Sequence, residues 1–320
     1  MKKQTPFIIT IDTEGDNLWS KPNVISTENS KYLPRFQKLC EKFGLKPVYL
    51  TNWEMANCEF FKEFARDVIR RNTGEIGMHL HAWNSPPHYE LKKDNFDYQS
   101  FLIEYPENIM RKKIEIMTRK LEETFQVSML SHRSGRWAIN NTYLKILKEF
   151  GYKIDCSITP LENWGLNNEQ YSNNNIDYSN SIKTSYFVDE DILVEGESDF
   201  LEVPVSIIKN TKNNILRKYI NRNRFTRRIY NHYSPEILWL RPNGKNLNNL
   251  IQVCDYIINN NSKYAEFILH SSELMPGGSP NFKDEKSIEK LYEDLEKLFE
   301  YSKNFFYGQT LSEFYNNYNL

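Results

Sequence analysis

Cysteine is sparse in this chain, and its four copies, Cys40, Cys58, Cys156 and Cys254, show no close paired spacing. That argues against a disulfide scaffold and a CxxC motif, and the expectation is reduced, buried thiols. No apolar run is long enough to span a bilayer, and mean hydropathy is −0.67. Neither charge sign is in excess: 41 Lys and Arg face 42 Asp and Glu, a net charge of −1, so no overall field recruits nucleic acid. GxxxxGK[ST] and GxGxxG phosphate loops are missing, and so is a GxSxG nucleophile elbow, which disfavours Ser/His/Asp covalent catalysis. The start, Met1-Lys2-Lys3, is basic like a secretory n-region. The apolar stretch after it, 7–11, is too short for an h-region and runs straight into Asp12, so it reads as a first strand, with the cytoplasm as the default location.

What is present is enough for a core: 39% hydrophobic and 14% aromatic residues. Apolar runs predict strands over 7–11, 46–51, 75–78, 128–131, 153–157, 200–205 and 267–269. Amphipathic stretches predict helices over 32–43, 59–71, 108–125, 140–150 and 284–302. Strand alternating with helix argues for a parallel sheet, doubly wound or closed as a barrel. Candidate chemical residues at the ends of several different strands favour the barrel. The whole chain, 1–320, reads as one catalytic domain with a surface insertion at about 160–235. Within it, 163–199 is rich in Asn, Ser and acidic residues and reads as a surface excursion. The basic stretch 209–228 reads either as a solvated helix face or as a surface for an anionic sugar, a diphosphate or acidic headgroups, which would allow peripheral membrane contact.

Histidine is also rare, six in all, yet two of them form His79-Leu80-His81 at the end of a strand. An extended chain points residues i and i+2 the same way, so both imidazoles face one side and could share an ion. The alternative is a pair of structural histidines, and further ligand types nearby favour the metal. Asp12-Thr13-Glu14 projects two carboxylates from another strand end, one to hold a metal and one to take a proton from the attacking water. Ser131 to Trp137 carries Arg133, Arg136 and Trp137, read either as a surface arginine cluster with a core tryptophan or as a carboxylate-orienting arginine beside an apolar wall. His270, at the end of Phe267-Ile268-Leu269, is either a general acid or a third metal ligand, with Glu273 or Asp155 available to tune it.

Taken in order, these segments resemble the polysaccharide deacetylases of carbohydrate esterase family 4, with their NodB-homology domain. The matching pieces are Asp12 with Glu14, Glu75-Ile76-Gly77-Met78-His79, Arg133-Ser134-Gly135-Arg136-Trp137, Asp155-Cys156-Ser157 and Leu269-His270. The wording Thr-Glu-Gly-Asp, His-Leu-His-Ala-Trp and His-Ser-Ser-Glu looks most like the WbmS-like branch, tied to bacterial surface-polysaccharide biosynthesis. The resemblance implies a distorted (β/α) barrel, a divalent metal of the zinc type, and hydrolysis of an acetyl group from a sugar. It implies Asp12 as base, His270 as acid and Arg133 as the residue that orients Asp12. Two positions depart from the pattern. The usual adjacent Asp-Asp is spread to Asp12-x-Glu14, and the position of the usual second metal histidine holds Trp83. The i, i+2 geometry offers His81 in its place, giving a metal set of Glu14, His79 and His81. Trp53, Trp83, Arg136, Trp137, Leu269 and Glu273 complete the site as expected substrate contacts. The expected substrate is an N- or O-acetylated sugar of a surface-polysaccharide precursor. Cleavage of another C–N bond, as in a cyclic amide or formyl sugar, and a metal-free glycan-binding protein are the alternatives.

Overall fold

The computed structural model describes residues 4–91, 98–166, 168–210 and 235–318, which leaves nearly all of the basic stretch 209–228 outside the described residues. Its strands are β1 Thr5–Thr13, β2 Pro47–Thr51, β3 Glu75–Leu80, β4 Ser131–Ser134, β5 Ile154–Asp155, β6 Tyr186–Phe187, β7 Leu201–Glu202, β8 Ile207–Lys209, β9 Ile237–Trp239, β10 Ala265–His270 and β11 Phe306–Gly308. The main sheet runs β10-β1-β2-β3-β4-β5-β7-β6, with β11 against the start of β1. Every pairing in it is parallel except β6 with β7. β8 and β9 form a separate antiparallel pair. The sheet curls into an incompletely closed (β/α) barrel, the distorted barrel expected from the sequence.

Strands covered on both faces should be apolar throughout, and β1 is buried from Phe7 to Thr13. Its two faces serve different cores. Phe7, Ile9 and Ile11 pack outward into the large cluster under the helices, with Met78 and Leu80 of β3. Ile8 points inward, with Val48, Leu50, Ile154, Cys156 and Val203, and the helix Leu311–Asn316 adds Leu311 and Phe314 to that inner cluster. The same inner face continues along β1 to Thr10 and Asp12, so the barrel interior changes from hydrocarbon to charge toward the C-terminal strand ends.

Two sequence expectations need correction, and one helix was missed. The fourth strand is Ser131–Ser134, later than 128–131, because the helix Glu107–Phe125 closes on a left-handed Gln126 and Met129 packs into the outer core. The segment 163–199 is not a bare surface loop: Tyr171, Tyr178, Tyr186, Val188 and Ile192 are buried in the main core and β6 extends the sheet. The helix Leu247–Asn259, which buries Leu250, Val253, Cys254 and Ile257, was not anticipated.

Candidate active site

Parallel pairing brings the predicted segments together. Register sets Asp12 beside His270 and His79 beside Arg133. Gly135 permits the last approach: a Cβ there would lie 2.5 Å from both the His81 ring and the Leu80 carbonyl oxygen.

Glu14, His79 and His81 offer three ligand atoms to one point. The two Nε2 atoms are 3.0 Å apart, and Glu14 Oε2 lies 3.5 Å from His79 Nε2 and 3.4 Å from His81 Nε2. All three residues are buried. Tetrahedral bonds of ~2.0–2.1 Å would place ligand atoms about 3.3–3.4 Å apart, so this donor set fits a small divalent ion with a position left open. His79 Nδ1–H donates to the Arg133 carbonyl oxygen at 3.0 Å, which turns the Nε2 lone pair toward the site. His81 Nδ1 has no such partner among the described residues. Burial, and then the neighbouring His79, push His81 down to about 3. Burial also acts downward on His79, but Asp12 and Glu14 outweigh it and the net direction is up. Glu14 is held below the usual carboxylate range: burial pushes it up, and the imidazoles of His270, His79 and His81 more than reverse that.

Asp12 stands beside this triad. Arg133, wholly buried, donates from Nη1 to Asp12 Oδ1 at 2.7 Å, from Nη2 to Thr10 Oγ1 at 2.8 Å and to Glu266, and from Nε to the Cys156 carbonyl oxygen at 3.0 Å. The guanidinium is thereby fixed in one orientation. Burial alone would raise Asp12, but Arg133, His79 and His270 hold it well below the usual range, so it is ionised. Asp12 Oδ2 remains for other work, 3.5 Å from His270 Nε2.

His270 Nε2 is 3.9 Å from Glu14 Oε1 and lies outside the Glu14–His79–His81 group. Its other nitrogen meets two residues. Arg241 Nη2 is 3.0 Å from His270 Nδ1, and Glu273 Oε2 is 3.4 Å from it. A guanidinium only donates, so in the neutral ring Nδ1 accepts from Arg241 and the proton sits on Nε2, toward Asp12. In the protonated ring Nδ1–H faces Glu273. That carboxylate is held down to about 2, against its burial, by Arg241 and His270.

Several predicted contacts move. Glu273 is buried behind His270, where it accepts from the His270 N–H at 2.9 Å, and does not line the cavity. Leu269 alternates with His270 and faces the outer core, so it is no substrate contact and does not line the cavity. Trp53 starts a short helix, Trp53–Asn57, and packs against the core away from the cavity. Asp155 cannot tune His270: it pairs with His132 Nδ1 at 2.6 Å and accepts from Ser157. Trp83, Arg136 and Trp137 do line a cavity of about 350 Å³ with Asp12, His270, Glu14, His79 and His81. Arg136 is braced there, donating to the Gln99 carbonyl oxygen at 2.5 Å and to Gln170 Oε1 at 3.1 Å. Sequence reasoning missed Trp19, Trp164, Tyr171 and Arg241, which also line it. Trp19 lies over His270 with ring centroids 5.0 Å apart.

The loop carrying His81 and Trp83 is tied down from below. Lys113, buried, donates to the carbonyl oxygens of Ala82, Ser85 and Pro87 at 2.8, 2.6 and 2.8 Å. Lys113→Met leaves these acceptors without that donor, at about 1–3 kcal/mol for each one that stays buried and unmet. The expected result is a lower melting temperature together with weaker zinc binding by calorimetry. Lost stability with unchanged zinc affinity would mean that the clamp does not act on the site.

No protein-family model matches the chain. No curated protein sequence matches it either. Solved structures do match it in fold. One, assigned provisionally as a polysaccharide deacetylase from Mycobacterium smegmatis, is 13% identical, with 98% of this chain and 94% of that one covered and a TM-score of 0.55. A 4-alpha-glucanotransferase from Thermococcus litoralis is 14% identical over 98% of this chain and 40% of its own, with a TM-score of 0.55. A GH57 branching enzyme from Thermococcus kodakaraensis is 9% identical over 99% of this chain and 72% of its own, with a TM-score of 0.52. The chain therefore has the (β/α) barrel of the NodB, polysaccharide deacetylase type. A fold shared with glucan-transferring enzymes does not choose the chemistry, which has to be argued from the site. No helix among the described residues is long and apolar enough to cross a membrane.

Proposed function

We propose that the protein is a metal-dependent hydrolase that removes an acetyl group from an N- or O-acetylated sugar. One observation carries this reading: the ligand atoms of Glu14, His79 and His81 converge on the cavity that also holds the Arg133-bound Asp12 and His270. Two imidazoles and a carboxylate with an open position suit zinc, which when bound lowers the pKa of a water and polarises an acyl oxygen.

The chain's own residues supply the proton transfers. Asp12 Oδ1 is occupied by Arg133, so Oδ2 is the atom that takes the proton from the attacking water. Its depressed pKa keeps it ready as a base through neutral pH. His270, with Nε2 toward Asp12, gives a proton to the departing amine or alkoxide, and Glu273 behind it supports the charged ring. Trp83 and Trp137 offer ring faces to the C–H surface of a sugar. The cavity volume, about 350 Å³, lies at the small end for ligand sites and suits one acetylated sugar ring. The likeness of the motif wording to the WbmS-like branch supports a surface-polysaccharide precursor as the source of that sugar.

The test is metal analysis joined to an acetate-release assay on a panel of N- and O-acetylated sugars. The purified protein is expected to hold about one divalent ion per chain. Chelation should abolish acetate release and zinc should restore it. Formate or ring-opened amide in place of acetate would point to another C–N bond. Sugar binding without metal or release would make this a glycan-binding protein.

A further inference from the structure

Two cavities adjoin at the opposite end of the barrel from the candidate active site. One is about 630 Å³ and the other about 400 Å³, and they share Asn261, Ser262 and Lys263. Lys263 and Tyr264 lead into β10, and Thr5 and Pro6 open β1. His270 closes the same strand β10. At ~3.3 Å per strand residue, Lys263 and His270 stand about 20 Å apart. A partner on this face therefore leaves Glu14, His79 and His81 untouched.

The lining of both cavities carries one sign of charge. Among the described residues it includes Lys183, Lys209 and Lys263 and no Asp or Glu. Lys183 and Lys209 are exposed. Lys263 Nζ donates to the Tyr318 hydroxyl at 2.6 Å and stands 4.6 Å from the centre of that ring, which orients the ammonium without neutralising it. The helix Leu247–Asn259 ends at this face, with a partial negative charge of about half a unit. The N–H groups of Asn261 and Ser262 take up the carbonyls of Ile258 and Ile257 there, and three full cations outweigh what is left. Beyond Lys209 the chain continues into 211–234, outside the described residues. That stretch contains seven Lys and Arg and no Asp or Glu, so it can bring no side-chain carboxylate to this face.

Between the cations the walls are hydrocarbon. Leu161, Ile207, Ile208 and Ile257 line the larger cavity and Phe314 the smaller. Two tyrosines stand at the surface: Tyr256, 46% exposed, in the larger cavity and Tyr307, 40% exposed, in the smaller. Lysine and tyrosine around an apolar hollow match a bilayer interface, where ammonium groups meet lipid phosphates and phenol rings lie among the headgroups. A purely polyanionic partner would use the lysines and leave the hydrocarbon unmatched.

We propose that this face docks on an anionic bilayer, with one phospholipid headgroup seated in the larger cavity. Its phosphate is met by the three lysines, and its glycerol and first acyl carbons lie along Ile207 and Ile257. The candidate active site then faces away from the bilayer. The proposal stands independently of the deacetylase reading, because it is tested by binding alone.

The experiment is co-sedimentation of the full chain with vesicles of phosphatidylcholine, and with vesicles of three parts phosphatidylcholine to one part phosphatidylglycerol. The protein should partition onto the mixed vesicles and not onto the neutral ones. The double variant Lys183→Gln/Lys209→Gln removes two exposed cations at little risk to folding, and should lower that partitioning about 30-fold. Tyr256→Ser, also at an exposed position, should lower it with no change of charge. Zinc affinity should be the same in all of these, which checks that the other end of the barrel is intact. Undiminished partitioning in the double variant would move the contact to 211–234 and overturn this face as the docking site. Loss in the double variant with none in Tyr256→Ser would leave a contact of charge alone and overturn the seated headgroup. Equal binding to neutral vesicles would overturn the proposal. So would no vesicle binding, and retention on heparin or DNA in that case would give the lysines to a polyanion.

Discussion

His79→Ala protein is expected to leave purification with an empty metal site and no hydrolytic activity. The substitution deletes one of three converging ligand atoms. It also deletes the hydrogen bond to the Arg133 carbonyl that fixes the ring. Losing only such an outer partner typically lowers metal affinity ~10–100-fold, so losing the ligand as well should cost more. His81→Ala should weaken binding less, because the His81 Nδ1 has no anchoring partner among the described residues and the ring is less firmly preset. Two measurements check this. Zinc calorimetry should give the order wild type, His81→Ala, His79→Ala in falling affinity. Zinc at about 100 times its dissociation constant should stabilise the wild type by ~2.7 kcal/mol and His79→Ala scarcely at all. The pH dependence has a definite sign. Ligands must be deprotonated to bind. His81, pushed down to about 3, is neutral at any working pH, while His79 is pushed up. Protons therefore compete at His79, and zinc affinity should rise with pH until that ring is neutral. Undiminished affinity in both histidine variants would move the metal away from these residues.

The parts of this site that were legible in the sequence are those fixed by local periodicity. Apolar runs that stop at Asp12, His79 and His270 announce strands with chemistry at their ends, and the i, i+2 rule places His79 and His81 on one side. The same rule, applied strictly to β10, puts Leu269 on the face opposite His270, so that misassignment was avoidable. What was not legible depends on register between strands distant in sequence. Asp12 opposite His270 and His79 opposite Arg133 follow from parallel pairing, which nothing local encodes. Glu273 illustrates the limit: its type and place fit a substrate contact, and only the turn Ser271–Leu274 folds it behind His270. Trp19, Trp164, Tyr171 and Arg241 reach the cavity from loops or short elements without regular spacing. Asn-rich composition around 163–199 hid Tyr178, Tyr186 and Ile192, because a few buried side chains anchor a segment whose average is polar.

Loss of Asp12 or His270 should slow turnover without emptying the metal site, which separates chemistry from binding. Asp12→Asn keeps the size of the side chain and can still accept from Arg133 Nη1, but it cannot take a proton from water. His270→Ala removes the donor to the leaving group and leaves Arg241 paired with Glu273. A positioned acid or base supplies ~10²–10⁴-fold in rate, so each variant should lose about that much kcat with metal content near wild type. The pH profiles should change in opposite ways. The base works only when deprotonated, and Asp12 is held below the usual carboxylate range, so the wild-type acidic limb due to Asp12 lies at low pH and vanishes in Asp12→Asn. The acid works only when protonated, so His270→Ala should lose the basic limb. Glu273→Gln provides a third test: it removes the carboxylate that stands behind His270 Nδ1 but touches neither substrate nor metal, so kcat should fall with zinc affinity unchanged. If His270→Ala instead emerged metal-free, His270 would be a ligand despite its place outside the triad. The leaving group would then have to draw its proton from water, because Glu273 is buried behind the ring and Asp155 is bound to His132.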